Sequence, residues 1–159
     1  MRIYVPLTVP LLAALHTTGR IAPAPVTAHA VTPALRRAWA DADDEEREYA
    51  VLMAAAYTSL TLIADTRAEP RRIVVAADVD ESLVETGEDE TAVTVRAEIA
   101  IGQCTAVHID DADAEGEVVL ALGRLPEAKA GDGQALADVS LTEHELMWFA
   151  TQEIPELLG

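Results

Sequence analysis

Lysine is nearly missing from this chain. Lys129 is the only one among 11 basic residues, set against 28 acidic ones, for a formal net charge of −17. A basic footprint for a phosphate backbone is therefore absent, and direct nucleic-acid binding is not expected. Cysteine is reduced to Cys104. That excludes an internal disulfide and any cysteine-based metal cluster, and it favours a cytoplasmic location. Cys104 lies among apolar residues, where a lone thiol is an inert small hydrophobe. Aromatic residues make up only 4% of the chain. The core must therefore be built from Ala, Val, Leu and Ile, and must depend on close approach of its elements. No glycine-rich phosphate loop and no G-x-S-x-G elbow occurs. No apolar run reaches the length of a membrane span, so no membrane role is expected.

What is present is 159 residues, half of them apolar. That length fits one domain over 1–159 with a single substantial core. The N-terminus could be misread. Arg2 precedes the apolar run 3–15, and Ala28-His29-Ala30 resembles a small-x-small cleavage site. Pro6, Pro10 and Arg20 argue against a secretory signal.

Ile3 to Val5 reads as a short strand that Pro6 ends or confines to an edge. Pro10 follows the capping candidate Thr8 and opens a helix that Gly19 stops. Val26 to Val31 is a second strand, and Thr32-Pro33 caps a short helix carrying Arg36 and Arg37 on its outer side. Asp43 and Glu46 have capping-box spacing. From them a long central helix is expected near 44–65, with Tyr49, Leu52, Met53, Ala56, Leu60 and Ile63 as its apolar stripe. Ile73 to Val79 is a doubly buried strand. The acidic stretch 85–91 reads as a loop, 93–101 as a half-exposed strand, and 106–109 as another. A helix follows Asp110-Asp111, and the segment 126–138, with Pro126, Gly131 and Gly133, reads as a mobile surface loop. A C-terminal helix is expected over 142–154. The class is α/β (α+β), a mixed β-sheet of about four to five strands packed by helices.

Two constellations invite a chemical reading. His144-Glu145 suggests a zinc helix, but the position four residues after His144 is Trp148, so a ligand is missing and no metal or cofactor is expected. The same residues read better as a helix start capped by Thr142 and Glu145. His144, Trp148, Thr151 and Gln152 could then share a face that receives a protein partner or a second copy. Asp78-Val79-Asp80 after an apolar strand resembles the nucleophile motif of haloacid-dehalogenase-like phosphatases. His108, Asp110 and Asp111 resemble their later Mg²⁺-binding pair. The Ser/Thr and Lys motifs that should lie between are not there, and the interval is too short for the intervening βα units. A small metal-dependent hydrolase using Asp78, Asp80, His108, Asp110 and Asp111 is therefore the alternative to a non-enzymatic, acidic, protein-binding or regulatory module. His29 and His108 are expected to be structural.

The whole chain resembles a family of small uncharacterised actinobacterial proteins. The resemblance rests on Met1-Arg-Ile-Tyr-Val-Pro-Leu-Thr8, Ala30-Val-Thr-Pro-Ala-Leu35, Arg72-Ile-Val-Val-Ala-Ala-Asp-Val79, Ala106-Val-His-Ile-Asp-Asp-Ala112 and Trp148-Phe-Ala-Thr-Gln-Glu-Ile-Pro155. It implies one intact domain from Met1 and carries over no functional residue.

Overall fold

A computed structural model describes residues 1–87 and 89–159. In chain order the elements are β1 (Arg2–Leu7), α1 (Val9–Thr18), β2 (Arg20–Ile21), β3 (Val26–His29), α2 (Pro33–Ala38), α3 (Asp44–Thr66), β4 (Ile73–Asp78), β5 (Val84–Thr86), β6 (Ala92–Val95), β7 (Ile99–Ala100), β8 (Cys104–Ile109), α4 (Glu115–Lys129), α5 (Gly133–Ser140), β9 (Met147–Phe149) and α6 (Ile154–Leu158). The class is mixed α/β, as expected. The sheet differs from the expected one. It has seven strands in the order β5-β6-β3-β1-β4-β8-β9, every pair antiparallel, and a separate ribbon joins β2 to β7.

Pro6 does not end or marginalise its strand. β1 runs through it to Leu7 and pairs with β3 on one side and β4 on the other. The β3 ladder meets β1 only at Tyr4 opposite His29, so Pro6 lies beyond its end. An antiparallel ladder bonds each neighbour at alternate residues only, so one lost N–H is tolerated.

Strand alternation divides the core into two faces. Ile3, Val5, Leu7, Ile73, Val75, Ala77, Val107 and Ile109 pack with Leu12 and Leu15 of α1 and Ile154 of α6. Tyr4, Val74, Ala76 and Ala106 pack on the opposite face with Leu35 of α2 and Val51, Ala55 and Ala56 of α3. Alanines at the contact let α3 approach the strands closely, which an aromatic-poor core requires. A third cluster joins Leu60 of α3 to Val118, Ala121 and Leu125 of α4 and Ala135 and Val139 of α5.

The long helix falls where the periodicity places it. Asp43 caps it by accepting from Glu46 N at 2.8 Å. Its buried stripe is Val51, Ala55, Ala56, Ser59, Leu60 and Ile63, while Tyr49 faces outward. The assigned stripe was thus rotated slightly toward the larger apolar residues. By length and hydropathy alone α3 could cross a bilayer, contrary to the sequence reading. Here it packs on the sheet and on the α4–α5 pair. Ser59 ties it down, donating to Leu7 O at 2.7 Å and accepting from Ile73 N at 3.0 Å.

Two expectations are overturned and a third, the loop over 85–91, holds only after Thr86. The segment 126–138 is not a loop. Pro126 lies inside the last turn of α4, and Asp132 starts α5 by accepting from Ala135 N at 2.9 Å. Burial of Leu125, Ala128, Ala135 and Val139 outweighs the local breakers. The acidic stretch 85–91 begins as the end of β5, and Glu88 within it lies outside the described residues. The helix expected over 142–154 is absent. Leu141, at φ 51°, stops α5, and the chain then forms β9 against β8. Pro155 begins the short α6 instead of ending a longer helix. Cross-strand pairing of Met147, Trp148 and Phe149 with Ile109, His108 and Val107 supersedes the helical spacing.

Candidate functional site

The five residues of the hydrolase reading are not brought together. Asp78 ends β4 and pairs with Arg2, which donates from Nε at 2.7 Å and from Nη2 at 3.2 Å. That bond holds the Asp78 carboxyl below the usual range and raises the Arg2 guanidinium. Asp80 accepts from Ser82 N at 2.9 Å, which lowers its carboxyl and caps the turn 81–83. Asp111 caps the next turn in the same way, through Asp113 N at 2.8 Å. Asp110 lies at the other end of β4, about 20 Å from Asp78 by strand rise. It is fully buried and forms a fork with Arg72, Nε to Oδ2 and Nη2 to Oδ1, both at 2.8 Å. Each carboxylate already serves a local structural partner, and a shared metal is out of reach between Asp78 and Asp110.

The histidines divide. His29 is satisfied, as expected: Nδ1 meets Thr91 Oγ1 at 2.9 Å and Nε2 meets Thr58 Oγ1 at 2.8 Å. His108 stands half-buried beside Tyr4, with ring centroids 6.4 Å apart. Burial lowers both imidazoles, with Arg2 adding to the effect at His108 and Asp89 opposing it at His29. A folded-state value below the unfolded 6.5 means that the unfolded chain takes up these protons first. Their contribution is whole above the unfolded value and declines as pH falls through it toward the folded ones. Melting temperature is thus expected to drop from about pH 7 to about pH 5. His29→Gln should flatten that slope relative to wild type, and an unchanged slope would assign it to other groups. Cys104 is buried, and its thiol is pushed up to about 11 by desolvation. It is inert, as expected.

The four residues expected to form a binding face do not share a helix. Trp148 lies on β9, the outermost strand, and 62% of its surface is exposed. Met147 beside it is also exposed. His144 sits in the connection before β9, where its carbonyl accepts from Arg72 Nη2 at 2.9 Å. Thr151 lies after β9, and its hydroxyl donates to Cys104 O at 3.1 Å. Gln152 is exposed in the turn 151–153. The four flank or occupy one edge strand, two of them committed to holding it. Glu153 adds a bond from Ala150 N to its Oε2 at 2.8 Å. A three-residue strand is weak alone. This one is fixed before it by Arg72 and after it by Thr151, Glu153 and the buried Ile154.

Two further features were not anticipated. Trp39 and Tyr49 are exposed and line a shallow apolar groove with Ala50 and Met53, between Glu45 and Glu46. A deeper cavity of about 600 Å³ opens over β1, lined by Arg2, Tyr4, Arg36, Glu48 and Glu81 among others. Charged residues from four separate segments meet there, and no local pattern in the chain signals such a meeting.

No curated protein and no protein of solved structure matches this chain. A family model does, over residues 1–158. The chain belongs to that family, a family of unknown function (DUF6912).

Proposed function

We propose that this protein is a non-enzymatic binding module that receives an extended, basic segment of a partner protein along the β9 edge. The observation that carries the reading is the exposed Trp148 on an outermost strand. An edge strand offers unpaired backbone N–H and C=O groups, and added strands bind through them. A large exposed aromatic beside that edge supplies the anchor that main-chain bonding lacks. The charge around it selects the partner. Glu143, Glu145, Glu153 and Glu156 flank β9, and the segment 142–159 contains no lysine or arginine. A basic segment is attracted there, while a second copy of a chain with net charge −17 is repelled. The bonds that hold β9 from both ends favour binding by reducing the ordering cost.

The test is titration of the protein with extended peptides of alternating apolar and Lys/Arg residues, and with their Glu-substituted counterparts. Basic peptides are expected to bind, to bind more weakly as salt rises, and to shift tryptophan emission. Trp148→Ala should weaken them about 30-fold, the ~2 kcal/mol of an interface anchor. Equal binding of acidic peptides, or no effect of Trp148→Ala, would remove the reading. A dimer in light scattering that Trp148→Ala dissolves would assign the edge to a second copy.

A further inference from the structure

The cavity over β1 carries a second inference, independent of the β9 edge. Its floor is Tyr4, which is only 7% exposed, and no acceptor meets the Tyr4 hydroxyl proton among the described residues. Arg2 lies beside that hydroxyl. Asp78 occupies its Nε and Nη2, and the guanidinium also bonds the Tyr4 oxygen, which leaves the phenol proton free. Arg36 enters from α2. Its nearest carboxylate, Asp44, is 3.9 Å away, too far for a hydrogen bond. Two donors thus line the cavity without a hydrogen-bonded acceptor among the described residues: the Tyr4 phenol and the Arg36 guanidinium. Glu48 of α3 and Glu81 line the same cavity, neither in an ion pair among the described residues. Val31 and Pro33 supply an apolar side.

The geometry points to a binding site for a small zwitterion carrying a carboxylate and an ammonium group, of free amino-acid to dipeptide size. The carboxylate accepts from Tyr4 and Arg36, beside the Arg2 charge, and a guanidinium suits it as a planar donor. The ammonium meets Glu48 and Glu81. The carboxylates decide between ligand classes. A multiply charged anion such as a phosphate ester would bring its excess negative charge against Asp44, Glu48 and Glu81 in a strongly acidic protein. A zwitterion satisfies both the donors and the carboxylates while bringing no net charge. The volume of about 600 Å³ falls within the usual range for small-molecule sites.

Calorimetric titration with the twenty free L-amino acids and a set of glycyl dipeptides, each to about 10 mM, tests this. For the best binder, its amide and its deaminated acid are then titrated. At least one panel member is expected to bind, and both analogues should bind at least about tenfold more weakly. Arg36→Gln and Tyr4→Phe should each lose about tenfold or more, since each removes a donor to the carboxylate. Arg37→Gln removes the same charge from the neighbouring position outside the cavity and should leave affinity unchanged. Circular dichroism melts of each variant separate lost binding from lost folding. If no panel member binds, the site is refuted. If the deaminated acid binds as well as the parent, or if Arg37→Gln costs as much as Arg36→Gln, the zwitterion assignment is refuted.

Discussion

Asp110→Ala is expected to cost about 3–5 kcal/mol, the range for stripping one partner from a buried ion pair. Among the described residues Asp110 is the sole carboxylate paired with the Arg72 guanidinium, whose side chain is 2% exposed against 0% for Asp110. Beyond the guanidinium fork, Asp110 Oδ2 accepts from Arg72 N at 2.8 Å, and Arg72 O accepts from Asp110 N at 3.1 Å. Alanine leaves the guanidinium charged, dry and bonded only to the His144 carbonyl. The loss therefore includes desolvation that nothing offsets. Urea unfolding should show a lower midpoint with the slope retained. A paired change, Arg72→Met with Asp110→Leu, should recover much of the stability, because it removes both charges and keeps apolar volume. A loss below about 1 kcal/mol in the single variant would mean that water reaches the guanidinium. The pair has a second role. Arg72 also holds the His144 carbonyl, so amide exchange over 144–149 should quicken in Asp110→Ala before the chain unfolds globally.

Ile154→Ala is expected to cost about 2–5 kcal/mol, the range for emptying a buried aliphatic site. Ile154 is fully buried at the start of α6, in the cluster that contains Leu12, Leu15, Val75 and Val107. Leu157 and Leu158 pack against the same cluster only in part, so they cannot collapse into the space without losing their own contacts. Denaturant unfolding measures the loss. Because Ile154 secures the far side of β9, peptide affinity at the edge should also fall, with Trp148 itself intact. Unchanged stability would place α6 outside the cooperative core. Unchanged affinity with lowered stability would show that β9 is held from the Arg72 side alone.

The elements that could be read from sequence are those with a repeated or complete local signal. α3 has its cap at Asp43 and periodic burial from Val51 to Ile63. β4 has an unbroken apolar run, and Gly19, at φ 76°, ends α1 in the left-handed turn its position suggests. The short strands were missed because two or three residues cannot display a period. β2, β5, β7 and β9 exist through their partners; β5 and β9 bring the main sheet to seven strands where about four or five were expected, while β2 and β7 pair in the separate ribbon. Trp148 illustrates the same limit at the candidate site. Its spacing from His144 fits a helix, and only the ladder to His108 makes it part of an edge. Its exposure was the decisive unknown, and the fold resolves it in favour of a surface. The Arg72–Asp110 pair left no trace either. Asp110 looked like a cap or a ligand, and its partner lies 38 positions away.

The place of β1 in the sheet bears on how the chain comes to fold. It precedes the other strands of its sheet in the chain and stands in the middle of the finished sheet, yet its β4 ladder must wait for α1, β3, α2 and α3 to be synthesised. Until then Ile3, Val5 and Leu7 have one side of their backbone open and no completed layer beneath them. β3 can offer only its single pair at Tyr4. The β1–β4 closure is thus one of the long-range steps that slow folding and lengthen the interval during which a nascent chain is open to mispairing.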